Sequence, residues 1–422
     1  MDFELFNTYS NKTELFIPLD DNDIRIYACG PTVYDYIHVG NARPLIIFDV
    51  LVRLLKLIYP KVTYVRNITD VDDKIIVQAN QNKESINNLT ERTIKAFSDD
   101  ADALFVKKPD FEPRATEHIQ EMLKMIKVLL ENGNAYLSDG HVLFSVSSMP
   151  NYGKLSGMNL NEMIDGARVE VSDYKKEPAD FVLWKPSKTG ELGWHSDFGF
   201  GRPGWHIECS AMSEKYLGKQ FDIHAGGLDL IFPHHENEIA QSRCANNNKS
   251  FSNYWIHNGF ITIANEKMAK SQGNIFKIKD FYQRYNGQVL RLALMSTHYS
   301  QPLDWNDKLM DECNRTLDKW YNCFVPVNKK VLIEDNDLKP LYDDLNTPGF
   351  IAVLHKLFDK AKEGTLEDKE IFSTACKFVG LLDQSKDEWD SFKKQNLKLS
   401  EDDILKKIEE TKDQFSEDFG EK

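Results

Sequence analysis

The chain has little that would suit it to an oxidising compartment or to a membrane. It holds six cysteines in 422 residues, too few and too scattered for a disulfide framework, so its thiols are left for metal binding, catalysis or core packing. Long apolar runs are missing: the most apolar stretch, Pro44 to Tyr59, is interrupted by Asp49, Arg53 and Lys56, which argues against a membrane span. A secretory leader starts with basic residues, whereas Met1-Asp2-Phe3-Glu4-Leu5 is acidic, so a cytoplasmic location is expected. An excess of positive charge is also absent. With 52 Lys and Arg against 66 Asp and Glu, the net charge is −14, and any nucleic acid must meet a local basic patch on an otherwise repelling body. No internal repeat or low-complexity tract is visible.

What is there is ordinary globular composition, 41% hydrophobic and 28% charged, on a length that allows two or three domains with a buried core. Ile24-Arg25-Ile26-Tyr27-Ala28 reads as a strand, Pro44 to Tyr59 as an amphipathic helix and Val62-Thr63-Tyr64-Val65 as a second strand. This β-α-β start implies a parallel, doubly wound sheet. A helix is expected from about Glu117 to Gly133, with apolar residues at Ile119, Met122, Leu123, Ile126 and Leu129. A polar, irregular stretch then runs to about Thr189, with turn signals at Pro150-Asn151-Tyr152-Gly153 and Lys188-Thr189-Gly190. Strand signals return at Phe221-Asp222-Ile223-His224 and Trp255-Ile256-His257. Beyond about Lys308 the spacing of Leu317, Trp320, Tyr321 and Phe324, then Phe350, Val353, Leu354, Leu357 and Phe358, is helical. The expected class is α/β, a Rossmann-like catalytic domain with an insertion, followed by an all-helical C-terminal bundle. Its expected parts are 1–118 and 194–262 as the two halves of the nucleotide-binding domain, 119–193 as an inserted connective region, 263–310 as a stem-contact region and 311–422 as the bundle.

Two short motifs carry the first chemical signal. His38-Val39-Gly40-Asn41 falls between the first strand and the first helix. A strand, a loop and a helix N-terminus make an anion site, because unpaired backbone N–H groups and the helix dipole both favour phosphate. Gly40 lets a nucleotide lie against bare backbone, and His38 and Asn41 can donate to phosphate oxygens. Far downstream, Lys267-Met268-Ala269-Lys270-Ser271 offers two cations on a loop that ends near Gly273. Together the motifs can grip the triphosphate of one ATP from two sides.

The pair resembles the His-Ile-Gly-His and Lys-Met-Ser-Lys-Ser signatures of class I aminoacyl-tRNA synthetases. Asn41 stands where the second His is expected and Ala269 where the first Ser is expected, so one imidazole and one hydroxyl are missing from the set. A further set of potential metal ligands lies at strand ends and on helices: Cys29, Cys209, His234 and Glu238, the last two four residues apart. On chemistry alone His206, His224 and His235 are also available, and a buried cysteine often does no more than pack.

Longer segments are similar to the cysteinyl-tRNA synthetases. They are Tyr27-Ala28-Cys29-Gly30-Pro31-Thr32-Val33-Tyr34-Asp35, Tyr64 through Lys74, Gly201 through Ser210 and Phe232 through Ala240. That resemblance implies one zinc ion on Cys29, Cys209, His234 and Glu238, with Cys29, Thr69, Trp205 and Asp229 at the amino-acid pocket and Asp229 as partner of the substrate ammonium. Zinc favours a soft thiolate over a hydroxyl, which would select cysteine over serine without an editing site. The implied reaction is attack of the L-cysteine carboxylate on the α-phosphate of ATP, followed by transfer of the cysteinyl group to tRNA(Cys). His38, Asn41, Lys267 and Lys270 would stabilise charge in transit, helped by Mg²⁺ on the phosphates. A charged segment with Arg66, Asp70, Asp72 and Asp73 is either a solvated turn or part of that machinery.

Family members continue into a small anticodon-reading domain, whereas here Glu401 to Lys422 is acidic and that domain is expected to be shortened or absent. Two other readings remain at this stage. One is a ligase that activates cysteine on the same fold and passes it to an amino sugar. The other is a non-catalytic, synthetase-like regulator that binds RNA. A monomer without membrane contact is expected.

Overall fold

The computed structural model describes residues 2–159, 172–188, 190–247, 249–264, 266–268, 275–327 and 333–396. A short antiparallel hairpin, β1 (Glu4–Asn7) and β2 (Lys12–Leu15), precedes β3 (Ile24–Ala28). Helix α1 (Val39–Ile58) then returns the chain to β4 (Val62–Arg66), which pairs in parallel with β3. The helix starts five residues before the expected Pro44. Proline is favoured in a first turn, and before it only Val39 and Ala42 carry the apolar spacing into the core, among Gly40, Asn41 and Arg43, so the sequence hides the true start. The side chain of Asn41 holds that start by accepting from the backbone N–H of His38 at 3.2 Å.

Helices α2 (Asp73–Asn82), α3 (Ile86–Ala103) and α4 (Ile119–Glu131) follow. Asp72 and Ser85 cap the first two by accepting from the backbone N–H of Lys74 and Asn88. The polar stretch expected up to Thr189 is not irregular throughout. It contains β5 (Ala135–Ser138), β6 (His141–Phe144) and β7 (Phe181–Pro186), which with β8 (Gly201–Pro203) form an antiparallel sheet in the order β5-β6-β7-β8. These strands are short and β6 pairs with β7 across a long separation, so local alternation is too brief to announce them. Their apolar side chains, including Val142, Phe144, Phe181, Leu183 and Trp184, pack on α4 residues such as Met122, Ile126 and Leu129.

The second half of the nucleotide fold consists of α5 (Ile207–Leu217), β9 (Phe221–Gly227), α6 (Glu236–Ala245) and β10 (Ser252–Asn258). The central sheet runs β10-β9-β3-β4 with every pair parallel. Its strands are buried on both faces, as a doubly wound sheet requires. Ile24, Ile26 and Ala28 point into one core with α1, while Tyr27 points into the other with α4 and α5. Each of the two isoleucines contributes roughly 1.5–3 kcal/mol by leaving water.

A small sheet, β12-β11-β13, is built from β11 (Ile261–Ile263), β12 (Glu266–Lys267) and β13 (Leu303–Asp304), with α7 (Gly287–Met295) between the last two. Beyond it stand α8 (Asp307–Tyr321), α9 (Asp335–Tyr342), α10 (Thr347–Glu363), α11 (Leu366–Phe378) and helical residues 386–396. Leu317, Trp320, Tyr321, Phe350 and Leu354 are buried there, and Phe324, Val353, Leu357 and Phe358 pack against them. The acidic tail Glu401 to Lys422 lies outside the described residues.

Candidate active site

The order β10-β9-β3-β4 reverses direction between β3 and β9, and ligands of such sheets bind beyond the carboxyl ends of the strands at that switch. Both strand ends are held there tightly. Cys29 N–H donates to Ala225 O at 3.1 Å and Gly30 N–H to Asn67 Oδ1 at 2.8 Å. Beyond them opens a cleft of about 390 Å³ lined by Cys29, Thr69, Trp205, Cys209, His234 and Asp229 at one end, and by His38, Gly40, Asn41, Lys267 and Met268 at the other. The structure thus gathers onto one surface residues that the sequence separates by more than two hundred positions.

At the deep end, Cys29 Sγ lies 3.7 Å from Cys209 Sγ and 3.4 Å from Glu238 Oε1. His234 Nε2 is 3.0 Å from the same Glu238 oxygen, and the other carboxylate oxygen accepts from His224 Nε2 at 2.9 Å. The ligand atoms of Cys29, Cys209, His234 and Glu238 all lie within 4.8 Å of one another. So do those of a second set, Cys29, His224, His235 and Glu238. Two thiols, imidazole nitrogen and a carboxylate are a donor mixture suited to a borderline metal such as zinc, so this cluster can hold a metal ion. His234 does not lie within α6 as its spacing from Glu238 suggested. It stands in a wider turn, Ile231–His235, ahead of that helix, yet the four-residue separation still brings both groups together.

Charge in the cluster is finely divided. Burial would raise the Glu238 carboxyl, but His224 and His234 outweigh it and hold the group near 2. Burial would likewise lower His234, and the neighbouring Glu238 charge overrides it, lifting the imidazolium to about 10. Burial pushes the Cys29 thiol up, whereas its hydrogen bond from Cys29 brings Cys209 down. A metal taken up here would displace the His234 proton. Trp205 stacks on His234 with ring centroids 4.4 Å apart, and Thr69 Oγ1 donates to buried Glu208 at 3.1 Å. Asp229 is exposed in the 3-10 turn Leu228–Leu230 that follows β9.

At the shallow end, Lys267 Nζ sits 3.5 Å over the Phe260 ring. A Cβ placed on Gly40 would come within 3.0 Å of the His38 ring and 3.2 Å of Met268 Cε, so the two motifs are in near contact and bare backbone faces the cleft between them. Ala269, Lys270 and Ser271 lie outside the described residues. Asp35, Lys74 and Lys277 also line the cleft, and Lys277 Nζ pairs with Asp35 at 2.8 Å. The sequence reading missed these three, because nothing local links Asp35 to a lysine far downstream. Arg66, Asp70 and Asp73 are not a free solvated turn, since each has a side-chain partner, and Arg66 also lines the cleft. Arg66 bonds Glu112, Asp70 accepts from Thr116, and Asp73 pairs with Lys185 and Arg202.

Residues 15–315 match the family model for the class I (C) tRNA synthetase catalytic domain. The fold is that of the class I synthetases: a Mycobacterium tuberculosis methionyl-tRNA synthetase, solved with methionyl-adenylate, superposes with a TM-score of 0.58 at 14% identity, covering 85% of this chain and 89% of that one. Within that class, the Cysteine–tRNA ligase of Pelagibacter ubique is 58% identical over 409 residues, 96% of this chain and 90% of the relative. The Cysteine–tRNA ligase of Rhodospirillum centenum is 51% identical, over 92% of this chain and 87% of its own. The chain belongs to the cysteine–tRNA ligase family. Among the described residues no helix is long and apolar enough to cross a membrane.

Proposed function

We propose that this chain joins L-cysteine to tRNA(Cys) in two steps, making cysteinyl-adenylate and pyrophosphate from cysteine and ATP, then cysteinyl-tRNA and AMP. The observation that carries the reading is the single cleft shared by the thiol-rich cluster and the His38–Asn41 loop. One end suits a thiol, the other a triphosphate, and the strand ends between them fix their separation.

In this reading Cys29, Cys209, His234 and Glu238 hold one zinc ion per chain. Cys29, Cys209 and His234 line the cleft, whereas His224 and His235 do not, so only the first set leaves a coordination position open to a substrate. When bound, the ion supplies a soft acceptor that lowers the pKa of the substrate thiol and prefers it to the serine hydroxyl. Asp229 takes the substrate ammonium, and Thr69 and Trp205 close the pocket around the side chain. The cysteine carboxylate then attacks the α-phosphate, the bond to the β-phosphate breaks, and pyrophosphate leaves with Mg²⁺. His38, Asn41, Lys267 and Lys270 stabilise the charge that builds on those oxygens, and no protein nucleophile is needed. The enzyme acts as a cytoplasmic monomer.

The test is cysteine-dependent ATP–pyrophosphate exchange followed by charging of tRNA(Cys) in parallel with an amino-sugar acceptor. Charging of the tRNA alone is the expected result. Transfer to the amino sugar, or exchange without any transfer, would overturn the reading.

A further inference from the structure

Arg43 stands two residues beyond Asn41 in α1 and exposes none of its surface. Among the described residues it has no ion-pair partner. Its guanidinium donates instead to backbone carbonyls: Nη1 to Gly259 O at 3.0 Å, Phe260 O at 3.3 Å and Gln301 O at 2.7 Å, and Nη2 to His298 O at 3.0 Å. Burial lowers its pKa only to about 10, so the cation is charged at neutral pH. A buried charge without a counter-ion is costly, and an apolar side chain of similar size would fill the same space at less cost. No apolar side chain could gather four carbonyls from two segments.

Those segments are the supports of Lys267. Gly259 and Phe260 form the turn between β10 and β11, and β11 pairs with β12, where Thr262 lies opposite Lys267. His298 and Gln301 lead into β13, the other neighbour of β11. The Phe260 ring lies under Lys267 Nζ, and Met268 N–H donates to Ile261 O at 3.2 Å. One planar fork rooted in the first turns of α1 therefore fastens both sides of the small sheet that presents the downstream motif.

We propose that Arg43 is a positioning residue that sets the separation between the His38–Asn41 loop and Lys267, acting on the lysine through Phe260. The proposal rests on the assignment of this cleft to ATP. Lysine at this position keeps the charge, but a single ammonium cannot replace a fork that reaches both segments.

The experiment compares wild type, Arg43→Lys, Phe260→Leu and the double variant by three measurements: titration of Mg-ATP without cysteine, cysteine-dependent pyrophosphate exchange, and thermal unfolding. Arg43→Lys is expected to weaken ATP binding and to lower the exchange kcat, each by about tenfold, as small misplacements of catalytic groups do. The KM for cysteine should stay within about twofold, because the altered contacts are made to the phosphates and not to the amino acid. Phe260→Leu should act in the same direction, and the double variant should lose no more than the weaker single variant, since both changes break one relay. Wild-type ATP binding in either single variant, losses that multiply in the double variant, or a loss confined to the KM for cysteine would each overturn the proposal. If Arg43→Lys does not fold, Phe260→Leu alone decides, and unchanged ATP binding there overturns it. A wild-type protein that binds ATP yet gives no cysteine-dependent exchange would refute the functional reading while leaving the ATP titrations to judge Arg43.

Discussion

Glu238 is the residue on which the thiol cluster turns. One oxygen faces Cys29 and His234, the other accepts from His224, and none of the side chain is exposed. Two ligand sets share Glu238 and Cys29, and single substitutions separate them. Cys209→Ser and His234→Ala should each abolish stoichiometric zinc, while His224→Ala should retain it, as elemental analysis of the purified proteins would show. Zinc lost with His224 and kept without His234 would assign the metal to the other set. Sequence supplied the residue types, one at a strand end and the others on or near helices. Residue chemistry alone left His206, His224 and His235 open beside His234, which only the family resemblance singled out, because the choice depends on which rings face the cleft. A second test concerns Asp100, near the C-terminal end of α3, where the helix dipole disfavours an anion. Burial raises its carboxyl to about 6, against the Tyr282 contact and Lys279 charge that lower it, and Asp99 adds to the rise. Because the folded value lies above the unfolded one, ionisation destabilises the fold. The contribution to stability is full below about pH 4, falls as pH rises towards 6 and stays low above it. Asp100→Asn should therefore stabilise the protein at pH 7 by on the order of 1–2 kcal/mol and leave it nearly unchanged at pH 4. Melting curves at the two values check this, and a variant less stable at pH 7 would contradict it.

Among the elements, β3 and β4 do most to place the site, and their ends tolerate little change. A Cβ on Gly30 would lie 1.6 Å from the carbonyl oxygen of Asn67, so backbone must move to admit it. Gly30→Ala is expected to cost about 3 kcal/mol or more in denaturant unfolding, well above the usual effect of a point change; a loss under about 1 kcal/mol would show that the two strand ends are looser than described. These strands were legible because each is an apolar run beside a turn, and the bundle helices because their stripes repeat over several turns. The insertion sheet was not. Its strands are four residues or so long, and what stabilises them is pairing across residues 145–180, a non-local term that no local pattern contains. The early start of α1 was hidden for a different reason: among residues 39–43 only Val39 and Ala42 join the core, and Gly40, Asn41 and Arg43 dilute their signal.

Over the whole molecule, the nucleotide fold and the bundle are joined by buried charge. Arg291 of α7 pairs with Asp49 of α1 and donates to Val379 O at 2.6 Å and Leu104 O at 3.0 Å, so α1 is braced from the bundle side as Arg43 braces it from the small sheet. None of these partners is near another in sequence, and this framework could not be read before the fold was known. What it maintains is a fixed span between the thiol-rich cluster and the His38–Asn41 loop, the two ends to which the proposed function assigns cysteine and ATP. The most direct test of that span is ATP–pyrophosphate exchange driven by cysteine and by serine in parallel on the same zinc-loaded preparation. Selection by bonding to sulfur predicts that kcat/KM for cysteine exceeds that for serine by at least ~10⁴-fold, more than a pocket that measures size could achieve. Exchange with serine at comparable efficiency would contradict the role given to the cluster.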